Sequence, residues 1–150
     1  MKKILLVLAI TGVMISCSAT TKVEGEKTGV VKAEVVDKTL LGTTWKLESY
    51  SVEGKLVDVI ENSKADLTLQ EDRFSGNGSV NRFFGSYTLE EDHLKMGPVG
   101  RTMMMGPKDA SDQEFAYTQL LEKVTSYEIV GDQLSLLEDG KVVLVFKAVL

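Results

Sequence analysis

The feature that most restricts the fold of this chain is a glycine- and aromatic-rich run at residues 73–107. Its glycines and aromatic residues are Gly76, Gly78, Gly85, Gly97, Gly100, Gly106, Phe74, Phe83, Phe84 and Tyr87. Glycines inside strands allow sharp bends and close approach of neighbouring strands, and the aromatic rings between them supply bulk for a core. The run therefore predicts a small curled sheet or barrel. It contains no array of nucleophiles, bases or metal ligands that would indicate catalysis.

Alternating apolar and polar residues predict further strands on both sides of this run. Trp45 and Leu47 alternate with charged residues, and Leu67 and Leu69 also fall on one face, which is the two-residue period of a half-buried strand. Polar turns separate the segments, including an Asp139-Gly140 pair that favours a tight hairpin. The predicted strands lie within residues 40–50, 65–70, 73–74, 81–89, 93–96, 127–129, 134–137 and 142–149.

After residue 40, only one segment has the period of a helix. Its apolar residues form one stripe, made of Ala116, Tyr117, Leu120, Leu121 and Val124. Ser111 and Glu114 before this stripe have the spacing of a capping box. The sequence thus predicts one α-helix at about Asp112–Lys123, packed on a mostly β, antiparallel sheet that is closed or nearly closed.

The length, the net charge and the single cysteine narrow the class of protein. One hundred and fifty residues suit one domain with a usable core. Without residues 1–16 the chain has 15 basic and 22 acidic residues, a net charge of −7, which argues against nucleic acid as a partner. Cys17 is the single cysteine and His93 the single histidine, so the chain can form neither a tetrahedral Cys/His zinc site nor an internal disulfide.

The N-terminal residues have the pattern of a bacterial lipoprotein signal. Two lysines precede a run of about a dozen apolar residues, which is too short to span a membrane and matches a signal-peptide core. The run ends in Met14-Ile15-Ser16-Cys17, which resembles a lipobox. We predict that Cys17 carries the palmitate-bearing anchor, and Ser18 after it resembles an outer-membrane sorting signal. The alternative is a chance thiol beside an ordinary secretory cleavage site.

The predicted organisation has three parts. Residues 1–16 are the signal peptide, and residues 40–150 are the folded domain. Residues 17–39 mix small, charged and β-branched side chains without a sustained period, which is typical of a flexible tether. The alternative is that residues 30–36 form a first, weakly paired strand.

Four segments of the predicted domain resemble segments of one known family. They are residues 41–47 (LGTTWKL), 78–87 (GSVNRFFGSY), 102–107 (TMMMGP) and the region of Glu114-Phe115 and Leu120-Leu121. Together they resemble the META domain, the family of the HslJ-like heat-shock lipoproteins. Residues 78–87 are similar to its asparagine-arginine-aromatic-glycine-x-tyrosine centre. The resemblance covers about residues 40–149. It implies a lipocalin-like β-barrel with one helix, cellular roles in heat response and antibiotic tolerance, and no agreed biochemical activity.

Two positions depart from the pattern of that family. Many members have one cysteine directly before the asparagine and another directly before the proline, where this chain has Val80 and Gly106. The resemblance implies that the two cysteines form a bond in members that have both. This chain is then expected to hold the junction by packing alone, without the roughly 2–4 kcal/mol that a cross-link contributes.

Six residues are candidates for binding, and each also has a plainer structural explanation. They are Asn81, Arg82, Arg101, Met103, Met104 and Met105. Asn81 and Arg82 either line a pocket mouth, or Asn81 caps a bulge while Arg82 points to water. Arg101 either binds an anionic group or is solvated. The methionine run is either an adaptable contact surface, since methionine repacks readily, or a strand that places at least one side chain in the core.

The remaining polar residues predict no chemistry. His93 follows three acidic residues in a turn and is predicted to be exposed, without a catalytic role. Asp109, Asp112 and Glu114 lie where negative charge favours the helix dipole, and a calcium site requires a denser loop of oxygen ligands. The sequence therefore predicts no metal, no cofactor and no catalytic residue.

These observations predict a non-enzymatic lipoprotein of the cell envelope. It is expected to sit at the outer membrane through Cys17, to bind another envelope protein or a surface, and to support stress or antibiotic tolerance. The alternative is a small-ligand binder that uses the barrel interior, and a third hypothesis is an enzyme built from Asn81, Arg82, Arg101 and unplaced acids. A barrel filled by the side chains of Trp45, Leu67, Phe83 and Tyr87, with the methionines outside, favours the first hypothesis, and an internal cavity favours the second.

Overall fold

The structure, a computed structural model, describes residues 39–149, which fold into ten strands and one helix. The strands are β1 (Thr44–Val52), β2 (Lys55–Asp58), β3 (Asp66–Gln70), β4 (Arg73–Asn77), β5 (Arg82–Glu90), β6 (His93–Met96), β7 (Gly100–Arg101), β8 (Ser126–Val130), β9 (Gln133–Glu138) and β10 (Lys141–Ala148). The helix α1 (Lys108–Leu121) lies between β7 and β8. Among these residues, no helix is both long and apolar enough to cross a membrane.

The strands form one antiparallel sheet that curls back toward itself. Their order is β6-β5-β4-β3-β1-β10-β9-β8, with β2 added to β1 and β7 added to β5. The two ends of this order meet, because the Tyr127 amide at β8 donates to the Asp92 carbonyl beside β6 at 3.2 Å. The predicted fold class, a mostly β and nearly closed antiparallel barrel with one packed helix, is confirmed.

Two glycines allow a neighbouring ring or strand to lie directly against the backbone. A Cβ atom on Gly85 of β5 would be 2.4 Å from the Phe74 ring, and one on Gly76 of β4 would be 2.1 Å from the Asp66 carbonyl oxygen. Neither position has room for a side chain. The prediction that this run curls and packs closely is confirmed at these two positions.

Large side chains from the sheet and the helix fill the barrel interior. Trp45, Leu67, Phe83 and Tyr87 are all buried, which is the arrangement that favours the first functional hypothesis. Tyr117 of α1 is fully buried beside them, and its ring meets the Phe83 ring edge-on with 5.3 Å between centroids. The helix therefore closes the core with a large aromatic residue.

The start of the helix and its predicted cap are corrected by the structure. The helix begins at Lys108 instead of Asp112, Pro107 is its N-cap residue, and no side chain caps it. Ser111 lies within the first turn, where its amide donates to the Pro107 carbonyl at 3.0 Å. The predicted capping box is wrong because Glu114 bonds to backbone amides elsewhere in the chain, as described below.

The buried face of the helix and two strands also differ from the prediction. Ala116 lies beside the buried face, which instead includes Ala110, Gln113, Glu114 and Thr118 with the predicted Tyr117 and Leu121. Strands β2 and β7 were not predicted. All residues of β2 are exposed, so its sequence has no alternating pattern, and β7 has only two residues. The predictions for Cys17, the signal peptide, the tether and residues 30–36 concern residues outside the described range, apart from residue 39.

Candidate functional site

The three consecutive methionines lie on the surface between β7 and α1. We call residues 102–107 the methionine loop. Met103, Met104 and Met105 are 93%, 60% and 101% exposed. The segment is not a strand, so the alternative that places one methionine in the core does not apply. Three large apolar side chains in water form an adaptable surface of the kind that binds partners.

The side chain of Asn81 fixes the backbone of the methionine loop. Its Oδ1 accepts hydrogen bonds from the Met104 amide at 2.6 Å and from the Thr102 hydroxyl at 2.9 Å. Its Nδ2 donates to the Met104 carbonyl at 3.2 Å. Because one buried side chain holds both backbone groups of Met104, the exposed methionines project from a fixed base.

The carboxylate of Glu114 in turn holds Asn81. Its Oε2 accepts hydrogen bonds from the Val80 amide at 3.0 Å and the Asn81 amide at 2.6 Å, and its Oε1 accepts one from Asn81 Nδ2 at 2.8 Å. Glu114 is only 4% exposed. Three N–H donors compensate the removal of the carboxylate from water.

Gln113, the preceding helix residue, connects the turn between β4 and β5 to the loop between β2 and β3. Its Nε2 donates to the hydroxyls of Ser63 at 2.8 Å and Ser79 at 2.7 Å, and its Oε1 accepts from the Ile60 amide at 2.7 Å. Ser79 has a φ of +122°, a conformation that non-glycine residues rarely adopt. The helix thus maintains a strained turn directly before Asn81.

The predictions from sequence missed the roles of Gln113 and Glu114, although the helical period contained a signal for Glu114. Glu114 precedes Tyr117 by three residues and Leu121 by seven, so it falls on the buried stripe of the helix. A charged residue on such a stripe requires a partner in the fold. The capping-box interpretation assigned Glu114 a local partner, and that interpretation was wrong.

The two arginine candidates are both exposed and have different surroundings. Arg82 follows Asn81, but only its backbone joins the network: its amide donates to the Thr102 hydroxyl at 3.2 Å, and its carbonyl accepts from the Thr102 amide at 3.0 Å. The Arg101 guanidinium lies 6.0 Å from the centroid of the Phe115 ring. Asn81 and Arg82 therefore do not act as one polar pair.

Five of the six candidate residues border one surface hollow of about 300 Å³. Its lining includes Asn81, Arg101, Met103, Met104, Met105 and Phe115. Arg82 is not part of it. We call this feature the methionine hollow.

The described residues form other surface features outside the methionine hollow. A groove of about 560 Å³ runs between the β1–β2 turn, the helix and the β9–β10 turn, and Glu53, Leu120 and Lys141 are part of its lining. His93 is exposed, with its Nε2 3.8 Å from Asp92 Oδ1. Within residues 39–149, no group of three or more His, Cys, Asp or Glu side chains could hold a metal ion.

Burial shifts the pKa values of three groups in the core and at its edge. The pKa of Asp66 is raised, chiefly by burial, while the hydrogen bond from the Asn77 amide and the charge of Arg82 act in the opposite direction. Burial raises the pKa of Tyr117 well above its usual value, so its phenol stays neutral and donates to the Asp66 carbonyl at 3.0 Å. Burial also raises the pKa of Tyr87, whose hydroxyl donates to the Glu71 carbonyl.

Replacing Asp66 with asparagine is expected to change the pH dependence of stability. A carboxyl whose pKa is higher in the folded state costs stability above that pKa and costs none below its unfolded value. Asparagine retains an acceptor for the Asn77 amide without the charge. The stability of Asp66→Asn relative to the wild type should therefore increase as the pH rises from acid to neutral, as measured by urea unfolding across that range. A relative stability that decreases with pH would show the opposite shift.

The two positions that hold cysteine in many META domains are in contact in this structure. A Cβ atom on Gly106 would lie 2.4 Å from Val80 Cγ2 and 3.1 Å from Val80 Cβ. The backbone at Gly106 is not in the left-handed region, and the atoms nearest to a side chain there belong to Val80. Val80 and Gly106 therefore pack together at a position where two cysteines could form a disulfide.

A Val80→Cys, Gly106→Cys double variant is expected to form a disulfide on oxidation. The cross-link closes a loop between distant residues and should raise the free energy of unfolding by about 2 kcal/mol, less than the entropic maximum because the Cβ atoms are slightly too close. Urea unfolding with and without reductant measures the gain, in a Cys17→Ala background that prevents mispairing. Equal stability under both conditions, or no bond on oxidation, would contradict the contact.

Known proteins with a similar sequence or structure include one family and two solved structures. The family model described as META domain matches residues 38–149. An NMR structure of a protein from Burkholderia xenovorans is similar with a TM-score of 0.60 and 26% identity, covering 73% of this chain and 83% of that one. A second NMR structure shares the fold with a TM-score of 0.51 and 24% identity, covering 70% and 87% of the two chains. No curated protein matches the chain.

Proposed function

This chain belongs to the META domain family, and on that premise we propose that it is a non-enzymatic interaction module of the cell envelope. Its methionine loop binds another envelope protein, and this contact supports stress or antibiotic tolerance. The observation that carries the proposal is the exposure of Met103, Met104 and Met105 on a backbone that Asn81 holds in place.

A fixed backbone with adaptable side chains suits protein binding. Unbranched methionine side chains adjust to the shape of a partner. The hydrogen bonds between the Asn81 side chain and the Met104 backbone order the loop before a partner arrives, which lowers the entropic cost of association. The Phe115 ring, 53% exposed, extends the apolar surface at the methionine hollow.

The filled interior favours this function over a small-ligand binder. Trp45 and Leu67 are completely buried at the centre of the barrel, and Phe83 and Tyr87 are nearly so. The methionine hollow and the larger groove are both open to the surface. The described structure therefore offers its apolar contact area on the outside.

The polar network also favours binding over catalysis. The carboxylate of Glu114 and the amide of Asn81 are engaged with backbone groups and with each other. Within residues 39–149, every buried side-chain nitrogen or oxygen has a hydrogen-bond partner. These groups support the loop rather than stand ready for a substrate.

We further propose that the domain is anchored through a lipid on Cys17, at the outer membrane. The lipobox-like Met14-Ile15-Ser16-Cys17 sequence supports this anchor. Cys17→Ala should abolish palmitate labelling and release the protein from membranes. Continued labelling of the variant would contradict the anchor.

Photo-cross-linking in intact cells tests the interaction. A photoreactive residue at Met105 is compared with one at Lys55, which is exposed on β2. The proposal expects a discrete protein adduct from Met105 and not from Lys55. No adduct, or the same adduct from both positions, would contradict it.

A pair of triple variants connects the contact to tolerance. Replacing Met103, Met104 and Met105 with serine removes the apolar surface, whereas leucine retains it. The serine variant should lose both the adduct, detected with the probe at Phe115, and the tolerance of cells to heat or antibiotic. The leucine variant should keep them. Full tolerance in cells with the serine variant would contradict the proposed role.

A further inference from the structure

We propose that the methionine hollow also binds a soft monovalent cation, Cu(I) or Ag(I), through the thioether sulfurs of Met103, Met104 and Met105. This inference goes beyond the proposed function, because it requires neither a protein partner nor a membrane anchor. It rests on the donor atoms at the hollow, the state of the competing oxygen atoms and the local charge.

The donor atoms suit a soft metal. All three methionine side chains border the same hollow of about 300 Å³. Their Cα atoms follow one another at about 3.8 Å, and each thioether sits at the end of a flexible, unbranched side chain, so the three sulfurs can turn toward one ion. Thioethers are neutral, soft ligands that select Cu(I) over hard divalent cations.

The two buried polar side chains at the hollow, Glu114 and Asn81, are already engaged in hydrogen bonds. Both carboxylate oxygens of Glu114 accept hydrogen bonds from Val80 and Asn81, and Asn81 Oδ1 accepts two more from Thr102 and Met104. Calcium and magnesium, which prefer oxygen ligands, would compete with these hydrogen bonds for the oxygen atoms of Glu114 and Asn81. The three methionine side chains, by contrast, are exposed.

The backbone and the charges are compatible with a monovalent ion. Asn81 holds Met104 at both its amide and its carbonyl, so binding has to order side chains but not the loop. The hollow is lined by one carboxylate, Glu114, and one guanidinium, Arg101, whose charges offset each other. Arg101 is directed to the Phe115 ring. The lining of the hollow therefore carries no net formal charge that would favour a divalent cation over a monovalent one.

The test uses the full-length chain in detergent, with Cys17→Ala in every version so that a thiol does not compete for the metal. Ag(I) is added to protein whose methionine methyl groups carry ¹³C, and the methyl signals are followed by NMR. Met96 is the internal control, because it is buried in the core. The affinity for Cu(I) is measured separately by competition with a colorimetric chelator under anaerobic, reducing conditions.

The expected result is a shift of the Met103, Met104 and Met105 methyl signals that saturates at one equivalent of Ag(I), without a shift of the Met96 signal. The triple leucine variant should lose these signals and bind Cu(I) at least about tenfold more weakly, since leucine has the bulk of methionine without the sulfur. Met96→Leu is the matched control and should bind Cu(I) like the parent.

Two results would overturn the inference. One is that at least one of the three methyl signals does not shift in the presence of excess Ag(I). The other is that the triple leucine variant binds Cu(I) as tightly as its parent. The parent protein separates this inference from the proposed function. Metal binding without a cellular adduct from Met105 supports the metal site and contradicts the interaction, whereas an adduct without metal binding overturns the metal site alone.

Discussion

Replacing Glu114 with alanine is expected to lower the free energy of unfolding by about 3 kcal/mol. The carboxylate accepts hydrogen bonds from the Val80 and Asn81 amides and from Asn81 Nδ2. Alanine leaves these donors without an acceptor at buried or half-buried positions, and each such donor is costly. Urea unfolding followed by circular dichroism measures the loss.

Two comparison variants make this prediction specific. Gln119→Ala, at an exposed position on the same helix, should stay within about 0.5 kcal/mol of the wild type. Glu114→Gln should fall between the two, because its amide has an acceptor oxygen but also an NH₂ group that faces backbone donors. If Glu114→Ala is as stable as Gln119→Ala, the buried network does not hold the turn.

Replacing Tyr117 with alanine should have a still larger effect, about 4 kcal/mol. The ring is fully buried and packs between Phe83 at 5.3 Å and Phe146 at 6.0 Å between centroids. Its removal leaves a cavity between the helix and the sheet. Calorimetry or urea unfolding would detect the loss as a large fraction of the total stability.

The phenol and the ring of Tyr117 contribute separately. Tyr117→Phe retains the packing and loses the hydrogen bond to the Asp66 carbonyl, which should cost about 1 kcal/mol. Phe115→Ala on the exposed side of the same helix should cost much less than Tyr117→Ala. Equal losses for Phe115→Ala and Tyr117→Ala would show that the helix is not packed as described.

The barrel was predictable because its signals are local. Trp45 and Leu47 alternate with charged neighbours, and both are buried in β1. Gly76 and Gly85 lie among aromatic residues, and both touch a neighbouring strand or ring. Strand β2 gave no such signal, since it pairs only with β1 and has no buried face to impose a period of two.

The helix start and the site could not be read from local patterns, because contacts between distant residues decide both. The helix begins at Lys108, directly after the N-cap residue Pro107, and Glu114 bonds to amides more than 30 positions away in the chain instead of to its own first turn. The exposure of the methionines depends on residues 102–107 being a loop, which the hydrogen bonds from Asn81 maintain. Asn81 and the three methionines were candidate binding residues from the sequence alone. The hydrogen bonds between the Asn81 side chain and the Met104 backbone were not predicted.

Hydrogen exchange at the Met104 amide tests most directly whether the Asn81 side chain holds the methionine loop in place. In the wild type this amide should exchange at least about tenfold more slowly than that of Met105, although both side chains are exposed. Asn81→Ala should remove the difference, whereas Arg82→Ala, which keeps the backbone contacts to Thr102, should preserve it. Equal exchange of the two amides in the wild type would contradict the claim, because the loop would then be mobile despite the network beneath it.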